Sequence, residues 1–212
     1  MMKKYLVEFI GTFFLVLTVI VAVRGTAGSL APIAIGSILM VMVYAGGHIS
    51  GGHYNPAVTL GVWLRGKCQT SDVPGYIIAQ LLGGVIAAFL GVYLATNISG
   101  AAETITMGTF DFTSGVLAEF LGTFALVWVV LNTATAKGTS GNSFYGLAIG
   151  FTIVAGIYGL GGITGGAFNP AVAVGISLAK MTSWANLSAF LVGQIAAGIS
   201  AALTFKYING DK

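Results

Sequence analysis

Charge is scarce in this sequence, which excludes it from the class of water-soluble globular proteins. Only 7% of the 212 residues are Asp, Glu, Lys or Arg, whereas a typical soluble domain carries roughly 25%. Cysteine is scarcer still: Cys68 is the only one, so the chain can form neither an intrachain disulfide nor a cysteine cluster. Two histidines without nearby acids or cysteines do not make a metal site, and we expect no metal and no cofactor.

Patterns typical of enzymes and of nucleic-acid-binding proteins are also missing. No Ser-His-Asp, Cys-His or phosphate-loop pattern occurs, so we predict no enzymatic activity and no catalytic residue. The net charge of +3 comes from nine basic residues that are spread along the chain. Binding of nucleic acid needs clustered basic residues in polar surroundings, and this class of partner is therefore not expected.

Long apolar runs are what the sequence has in abundance. Stretches of about twenty apolar residues, the length of helix that crosses a bilayer, recur along the chain. We predict six membrane-spanning helices, at about 5–24, 31–47, 74–95, 112–133, 144–160 and 184–207. The first run follows Lys3 and Lys4 as a signal peptide would, but it is long and lacks a convincing cleavage site, so we interpret it as a spanning helix.

The positions of the basic residues predict the orientation in the membrane. With the N-terminus inside, only Arg24 and Lys180 fall outside, which matches the bias of basic residues towards the cytoplasm. The residues then on the cytoplasmic side are Lys3, Lys4, Arg65, Lys67, Lys137, Lys206 and Lys212. We therefore expect a multi-pass protein of the plasma (inner) membrane, embedded in the lipid bilayer with both termini cytoplasmic.

The chain repeats itself at an offset of about 114 residues. Residues 36–61 fall on 150–175, Gln80 falls on Gln194, and Glu-Phe-x-Gly-Thr-Phe occurs in both halves. Each half carries three spans, an odd number, so the second half must enter the membrane in the opposite orientation. We expect a single domain over 1–212, made of inverted repeats at about 1–98 and 112–212.

Each half also holds a helical piece too short to span the bilayer, at 55–64 and 169–180. At 1.5 Å per residue such a piece covers about half of the hydrocarbon thickness. In both pieces an Asn suited to capping precedes a Pro suited to the first helical turn. The predicted fold is an all-α membrane protein with six transmembrane helices and two re-entrant half-helices in an inverted 3+3 repeat. The two Asn-Pro caps should meet near the midplane.

The paired Asn-Pro-Ala motifs, the preceding Gly-His-Ile-Ser-Gly-Gly-His and the repeated Glu-Phe-x-Gly-Thr-Phe resemble the aquaporin, or major intrinsic protein, family over nearly the whole chain. The resemblance implies a homotetramer whose subunits each pass water and small neutral solutes through their own pore. It implies a pore centre at Asn55, Pro56, Ala57, Asn169, Pro170 and Ala171. Carbonyl groups would line the pore at Gly51, Gly52, His53, Tyr54, Gly165, Gly166 and Ala167.

Glu8 and Glu119 are acids within apolar segments, which by default makes them candidates for a functional site such as an ion path. Their equivalent positions in the two halves favour a structural role instead, in which each acid accepts hydrogen bonds from a neighbouring loop. The resemblance implies the same role. His48 and His53 are candidates for similar contacts.

The sequence departs from the family where most members place an arginine after the second Asn-Pro-Ala, because Val172 stands there. The selectivity filter carried over by resemblance is Ile35, Ile157, Gly166 and Val172, which is wider and almost wholly apolar, as in some plant tonoplast-type members. Losing the arginine removes hydrogen bonds, whereas greater width lets a solute keep some of its water. We expect passage of water and of small neutral solutes such as ammonia, urea, hydrogen peroxide or glycerol. The acid that marks glycerol facilitators is also missing, since Ala173 occupies its position.

Two alternatives remain open at this point. A secondary transporter also uses inverted repeats and broken helices, but it would need intramembrane charge for coupling. An ion channel would need rings of charge or of carbonyls around a shared axis. The loop at 97–111 could fold over the outer mouth and narrow the pore that Val172 widens.

Overall fold

The computed structural model describes residues 2–98 and 107–209. The C-terminal Lys212 and most of the loop predicted at 97–111 lie outside these residues. Apart from one isolated bridge between Met107 and Thr182, the regular structure in the described ranges is helical.

The two halves of the chain contain the same series of helices. The first half has α1 Met2–Arg24, α2 Ala31–Ser50, α3 Pro56–Leu64 and α4 Val73–Thr96. The second half has α5 Phe112–Val130, α6 Tyr145–Thr164, α7 Pro170–Leu178 and α8 Leu187–Asn209. Six helical stretches of the described chain are long and apolar enough to cross a membrane, and α3 and α7, with nine residues each, are not among them. The predicted fold class is confirmed.

Each short helix packs against a long helix of the other half. Helix α3 lies against α8, and α7 lies against α4. Glycines permit this approach, because a Cβ atom on Gly198 would stand 2.7 Å from the carbonyl oxygen of Ala57, and one on Gly84 would stand 2.9 Å from that of Ala171. The two halves therefore interlock through the half-helices, in addition to the contact between α2 and α6.

Helices α2 and α6 run about one turn further than the apolar pattern predicted. Both continue through their glycine pairs and end at Ser50 and Thr164. The residues that follow, Gly51 and Gly165, have φ angles of 92° and 87°, in the left-handed region that favours glycine. The helices stop where the backbone turns to the left-handed conformation, a feature that hydrophobic periodicity does not report. Helix α7 ends at Leu178, before the predicted residue 180.

The two ends of the bundle can be distinguished by the contacts of the chain termini. Lys4, near the start of α1, contacts Asp72, and Arg65 lies over the ring of Phe205, near the end of α8. The start of α1 and the end of α8 are thus at the end where α3 finishes, which we call the terminal end. The other end, where α1 finishes and α2 begins, is called the distal end.

Candidate functional site

The loop before α3 is held by the carboxylate of Glu8, which is fully buried in α1. Its Oε1 accepts hydrogen bonds from the backbone N–H of His53 at 2.9 Å and from Ser50 Oγ at 2.7 Å. Its Oε2 accepts from the backbone N–H of Tyr54 at 2.6 Å and from Gln80 Nε2 at 2.8 Å. Four donors therefore satisfy one buried acid, which fixes a loop that has no backbone ladder of its own.

The loop before α7 repeats this arrangement around Glu119, which is also fully buried. Glu119 Oε1 accepts from Thr164 Oγ1 at 2.6 Å and from the backbone N–H of Ala167 at 3.1 Å. Glu119 Oε2 accepts from the backbone N–H of Phe168 and from Gln194 Nε2, both at 2.8 Å. Neither acid lines the apolar cavity described below.

Each loop contains a strained residue directly before its asparagine. Tyr54 and Phe168 have φ angles of 49° and 47°, a backbone conformation that residues other than glycine rarely adopt. Their N–H groups bind the two glutamates, and their rings occupy the space left by glycines at positions 11 and 122. The conformation persists because the surrounding contacts determine it.

The two asparagines meet through reciprocal hydrogen bonds. Asn55 Nδ2 donates to the carbonyl of Phe168, and Asn169 Nδ2 donates to the carbonyl of Tyr54, both at 2.9 Å. The side-chain oxygens cap α3 and α7 by accepting from the backbone N–H of Ala57 at 2.8 Å and of Ala171 at 2.9 Å. Each amide nitrogen carries two hydrogens, so each keeps one donor beyond these contacts.

A cavity of about 230 Å³ runs past the two asparagines. It extends to the distal end, where Val23 and Met181 line it, and its remaining wall is mostly aliphatic side chains from six helices. We call it the apolar cavity. Asn55 and Asn169 both line it, as do Gly52, His53 and residues 165–167 of the two loops.

All four residues predicted for the filter line the apolar cavity together. Ile35 comes from α2, Ile157 from α6, Gly166 from the second loop and Val172 from the first turn of α7. None of them carries a charged or hydrogen-bonding side chain, so the polar groups they bring are backbone groups only.

Some other residues predicted at the pore are not among those that line the apolar cavity. Ala57 and Ala171 are buried in the first turns of α3 and α7, and with Pro56 and Pro170 they are not among the residues that line the apolar cavity. Tyr54 is also absent from the lining, since its carbonyl faces Asn169.

A second cavity, of about 860 Å³, opens at the terminal end, and we call it the terminal vestibule. Gly51 and His48 line the terminal vestibule, and His53 and Val130 line both cavities, so the two cavities adjoin at these residues. His53 is held there by Thr59, whose Oγ1 lies 3.1 Å from the ring Nδ1.

Charged side chains are among those that line the terminal vestibule. Lys4 Nζ is 2.9 Å from Asp72 Oδ2, and this hydrogen bond holds the pKa of the Asp72 carboxyl below its usual value. Burial raises the pKa of the Cys68 thiol, which makes it a weak nucleophile. No group of three His, Cys, Asp or Glu side chains within residues 2–98 and 107–209 is arranged to hold a metal ion.

Four residues that complete the loops were not predicted as site residues, namely the hydroxyl and amide partners of the two acids: Ser50, Gln80, Thr164 and Gln194. The two glutamines were visible as an identity between the halves. A polar side chain that recurs at equivalent positions of two apolar helices is the signal that could have found them.

Comparisons with known proteins agree with this architecture. The profile of the Major intrinsic protein family matches residues 1–205. The chain is 34% identical to "Aquaporin AqpM" of Methanothermobacter thermautotrophicus, over 99% of this chain and 98% of that protein. It is 36% identical to "Glycerol uptake facilitator protein-like 6" of Lactiplantibacillus plantarum, over 94% and 97% of the two chains.

A solved structure has the same fold. The aquaglyceroporin from Plasmodium falciparum superposes with a TM-score of 0.76 and 20% sequence identity, over 99% of this chain and 96% of that one.

Proposed function

The chain belongs to the major intrinsic protein family and is a passive channel for water and small solutes, and from this premise we propose that its filter is aliphatic and broadened. The filter consists of Ile35, Ile157, Gly166 and Val172. The observation that carries this proposal is that all four line one cavity and bring no charged or hydrogen-bonding side chain. Water and small uncharged solutes such as ammonia, urea, hydrogen peroxide and glycerol form the proposed substrate class.

The remaining polar groups on the path suit a neutral permeant. The spare amide donors of Asn55 and Asn169 can bind one water or solute hydroxyl as it passes the centre. Cations and protons are opposed there, because the positive ends of the α3 and α7 dipoles both point towards the asparagines. Because Val172 stands where most family members have an arginine, proton exclusion rests on this central barrier.

Coupled transport receives no support from the comparisons or from the lining. His53 is the one ionisable side chain among the residues that line the apolar cavity in the described part of the chain. A carrier that couples its solute to an ion would need intramembrane charge along this path. We propose a channel without enzymatic activity, in which the two inverted repeats form one domain.

The setting of the channel is proposed from the charge distribution and from the family. Lys4, Lys67 and Lys137 line the terminal vestibule, which supports a cytoplasmic terminal end in a plasma (inner) membrane. A homotetramer with one pore in each subunit is the assembly that the family suggests.

Stopped-flow measurements on reconstituted protein test the proposed filter. In liposomes, wild type should pass water and also urea or glycerol, without saturation. Val172→Arg should lower solute permeability relative to water about tenfold, the factor that corresponds to about 1.4 kcal/mol, because it adds a cation and narrows the lumen. Val172→Ile is the matched control and should keep the wild-type ratio.

The possible failures of this experiment have different meanings. Equal solute-to-water ratios in Val172→Arg and wild type would show that these four residues are not the filter. Wild-type liposomes that shrink no faster than empty ones would refute the channel itself.

A further inference from the structure

A short segment of the connection between the two halves lies at the distal rim of the apolar cavity. The backbone N–H of Met107 donates to the carbonyl of Met181 at 2.8 Å, and Met181 lines the cavity. Asn186 Nδ2 donates to the carbonyl of Gly108 at 2.8 Å, and Asn186 Oδ1 accepts from the N–H of Phe110 at 3.4 Å. We call Met107–Phe110 the rim segment.

The rim segment is anchored at its base as well as along its backbone. The ring of Phe110 packs edge-to-face on Phe190, with 5.5 Å between centroids, and fills the space beside Gly115. Asn186 is buried, with 3% of its surface exposed, and its amide also donates to Thr182 Oγ1 at 3.0 Å. A buried side chain that satisfies two peptide groups fixes the position of the segment to which they belong.

These anchors place the side chain of Met107 beside the part of the cavity wall that has no side chains. Its Cε and Sδ atoms lie 3.7 Å and 3.9 Å from the point where a Cβ atom of Gly165 would stand. Gly165 lines the cavity and is followed by the proposed filter residue Gly166. The thioether of Met107 thus lies within van der Waals distance of the space beside a lining glycine, directly behind the residues that line the apolar cavity themselves.

We propose that Met107 is a specificity-determining residue that limits the size of solute entering at the distal mouth, and that Asn186 is the positioning residue that holds it there. The inference rests on the proposed function, because an aperture matters only where solutes pass. Methionine suits the task, since its unbranched and polarizable side chain fills irregular gaps without adding charge or a strong hydrogen-bonding group.

The structural alternative is that the rim segment only joins the two halves. In that case, changes at Met107 would alter stability and the number of active channels, and the fluxes of water and solute would fall together. A size filter predicts a change in their ratio. The glycerol-to-water permeability ratio separates the two roles because it does not depend on how many channels are active.

The experiment compares side chains of graded size at this position in proteoliposomes. Met107→Ala should raise the glycerol-to-water ratio about three- to tenfold, a factor that corresponds to about 0.7 to 1.4 kcal/mol. Met107→Leu should keep the wild-type ratio, and Met107→Phe should lower it. Asn186→Ala should change the ratio in the same direction as Met107→Ala. Thr109→Ala, an exposed position in the same segment, is the matched control.

A labelling experiment covers the case in which a variant folds poorly. Met107→Cys is made in a Cys68→Ser background, and the purified protein is modified with alkyl methanethiosulfonates of increasing length before reconstitution. The glycerol-to-water ratio should fall as the attached group lengthens, relative to the unlabelled protein of the same preparation. Mass spectrometry measures the extent of labelling.

Each result decides between the two roles. A ratio that stays constant across Ala, Leu, Phe and the labelled cysteine would overturn the role of Met107 while the channel itself stands. Absence of both water and glycerol flux in wild type would instead refute the proposed function, and this inference with it.

Discussion

Each half holds its pore loop with a buried glutamate, but the side chains around the two glutamates differ. In the first loop, Thr59 Oγ1 accepts from Gln80 Nε2 at 2.9 Å and lies 3.1 Å from the His53 ring, and Tyr76 donates to the carbonyl of Ser50. At the offset of about 114 residues the second half has apolar residues in three of these places, namely Ala173 for Thr59, Ala167 for His53 and Phe190 for Tyr76.

This difference separates what the architecture requires from what one half has added. Both loops keep a carboxylate with four donors, a hydroxyl at the helix end, a glutamine and a strained aromatic residue. These shared groups are sufficient to present an asparagine at the start of a half-helix, since the second loop does so without the rest. The polar set around Thr59 belongs to the half whose loop lines both the apolar cavity and the terminal vestibule.

The largest expected effect comes from changing the two acids. Glu119→Gln and Glu8→Gln each replace one acceptor oxygen by a donor, which leaves about two buried donors unpaired at about 1 to 3 kcal/mol each. Glu119→Gln should be the more destabilising of the two. The first loop keeps the bond between Gln80 and Thr59 when its acid is changed, and the second half has an alanine at the position of Thr59.

Thermal unfolding of purified protein in detergent, followed by tryptophan fluorescence, measures this difference. Asp111→Asn is the control, because this exposed cap residue is replaced by an equally good one. If Glu119→Gln unfolds at the wild-type temperature, the carboxylate is not what fixes the second loop. If Glu8→Gln is the less stable variant, the additional polar groups do not support the first loop.

A smaller effect is expected from Thr59→Ala, which makes the first loop resemble the second. The change removes the acceptor for Gln80 and the neighbour of His53 Nδ1, both in a fully buried setting. We expect a loss of about 1 to 3 kcal/mol in unfolding free energy, the cost of one unsatisfied buried donor. Thr96→Ala, at an exposed threonine that also bonds to a helix carbonyl, is the matched control. Equal unfolding temperatures for the two variants would mean that the first loop does not depend on its polar set.

The fold was more predictable than the details of the site. Apolar runs of spanning length, the self-match between the halves and the two Asn-Pro starts predict six long and two short helices, because each signal is local in the sequence. The position of Met107 was not predictable. It depends on Asn186, which is 79 residues further along the chain by subtraction of their numbers, and on a bridge that no periodicity reports. Contacts between residues that are far apart in the sequence are tertiary, and local propensity does not predict them.

The C-terminal ends of α2 and α6 show the same limit of sequence-based prediction on a smaller scale. Glycine pairs inside an apolar run favour an early helix end, whereas the helix continues until Ser50 and Thr164 can donate to the two acids. The hydrogen bonds of a distant glutamate therefore decide where the helix stops. The sequence pattern shows the glycines, but it does not show that a glutamate from another helix binds the end of the extra turn.

The smallest expected effect concerns the residue that precedes the last spanning helix of each half, Asp72 in the first and Asn186 in the second. Asp72 Oδ2 accepts from Lys4 and Oδ1 from Tyr5 at 3.2 Å, so it holds the start of α1, as Asn186 holds the segment before α5. Asp72→Asn makes the two halves alike at this position and removes a charge. Because Lys4 is 39% exposed, the pair should contribute at most about 1 kcal/mol.

The shifted pKa predicts how the small difference in stability between wild type and Asp72→Asn changes with pH. The folded-state pKa of Asp72 is lowered by its hydrogen bond with Lys4, so its contribution is present above the unfolded value of about 3.9 and is lost as the pH falls through the lowered pKa. Wild type should therefore unfold at a slightly higher temperature than Asp72→Asn at pH 7, and the difference should shrink as the pH falls below about 3.9. The other acidic residues are present in both proteins, so their effects on the unfolding temperature cancel in the comparison. Salt at about 1 M should also reduce the difference between the two proteins, because it screens the ion pair. A difference that does not shrink at any pH below about 3.9 at which both proteins still fold would mean that packing, rather than the ion pair with Lys4, holds the start of α1.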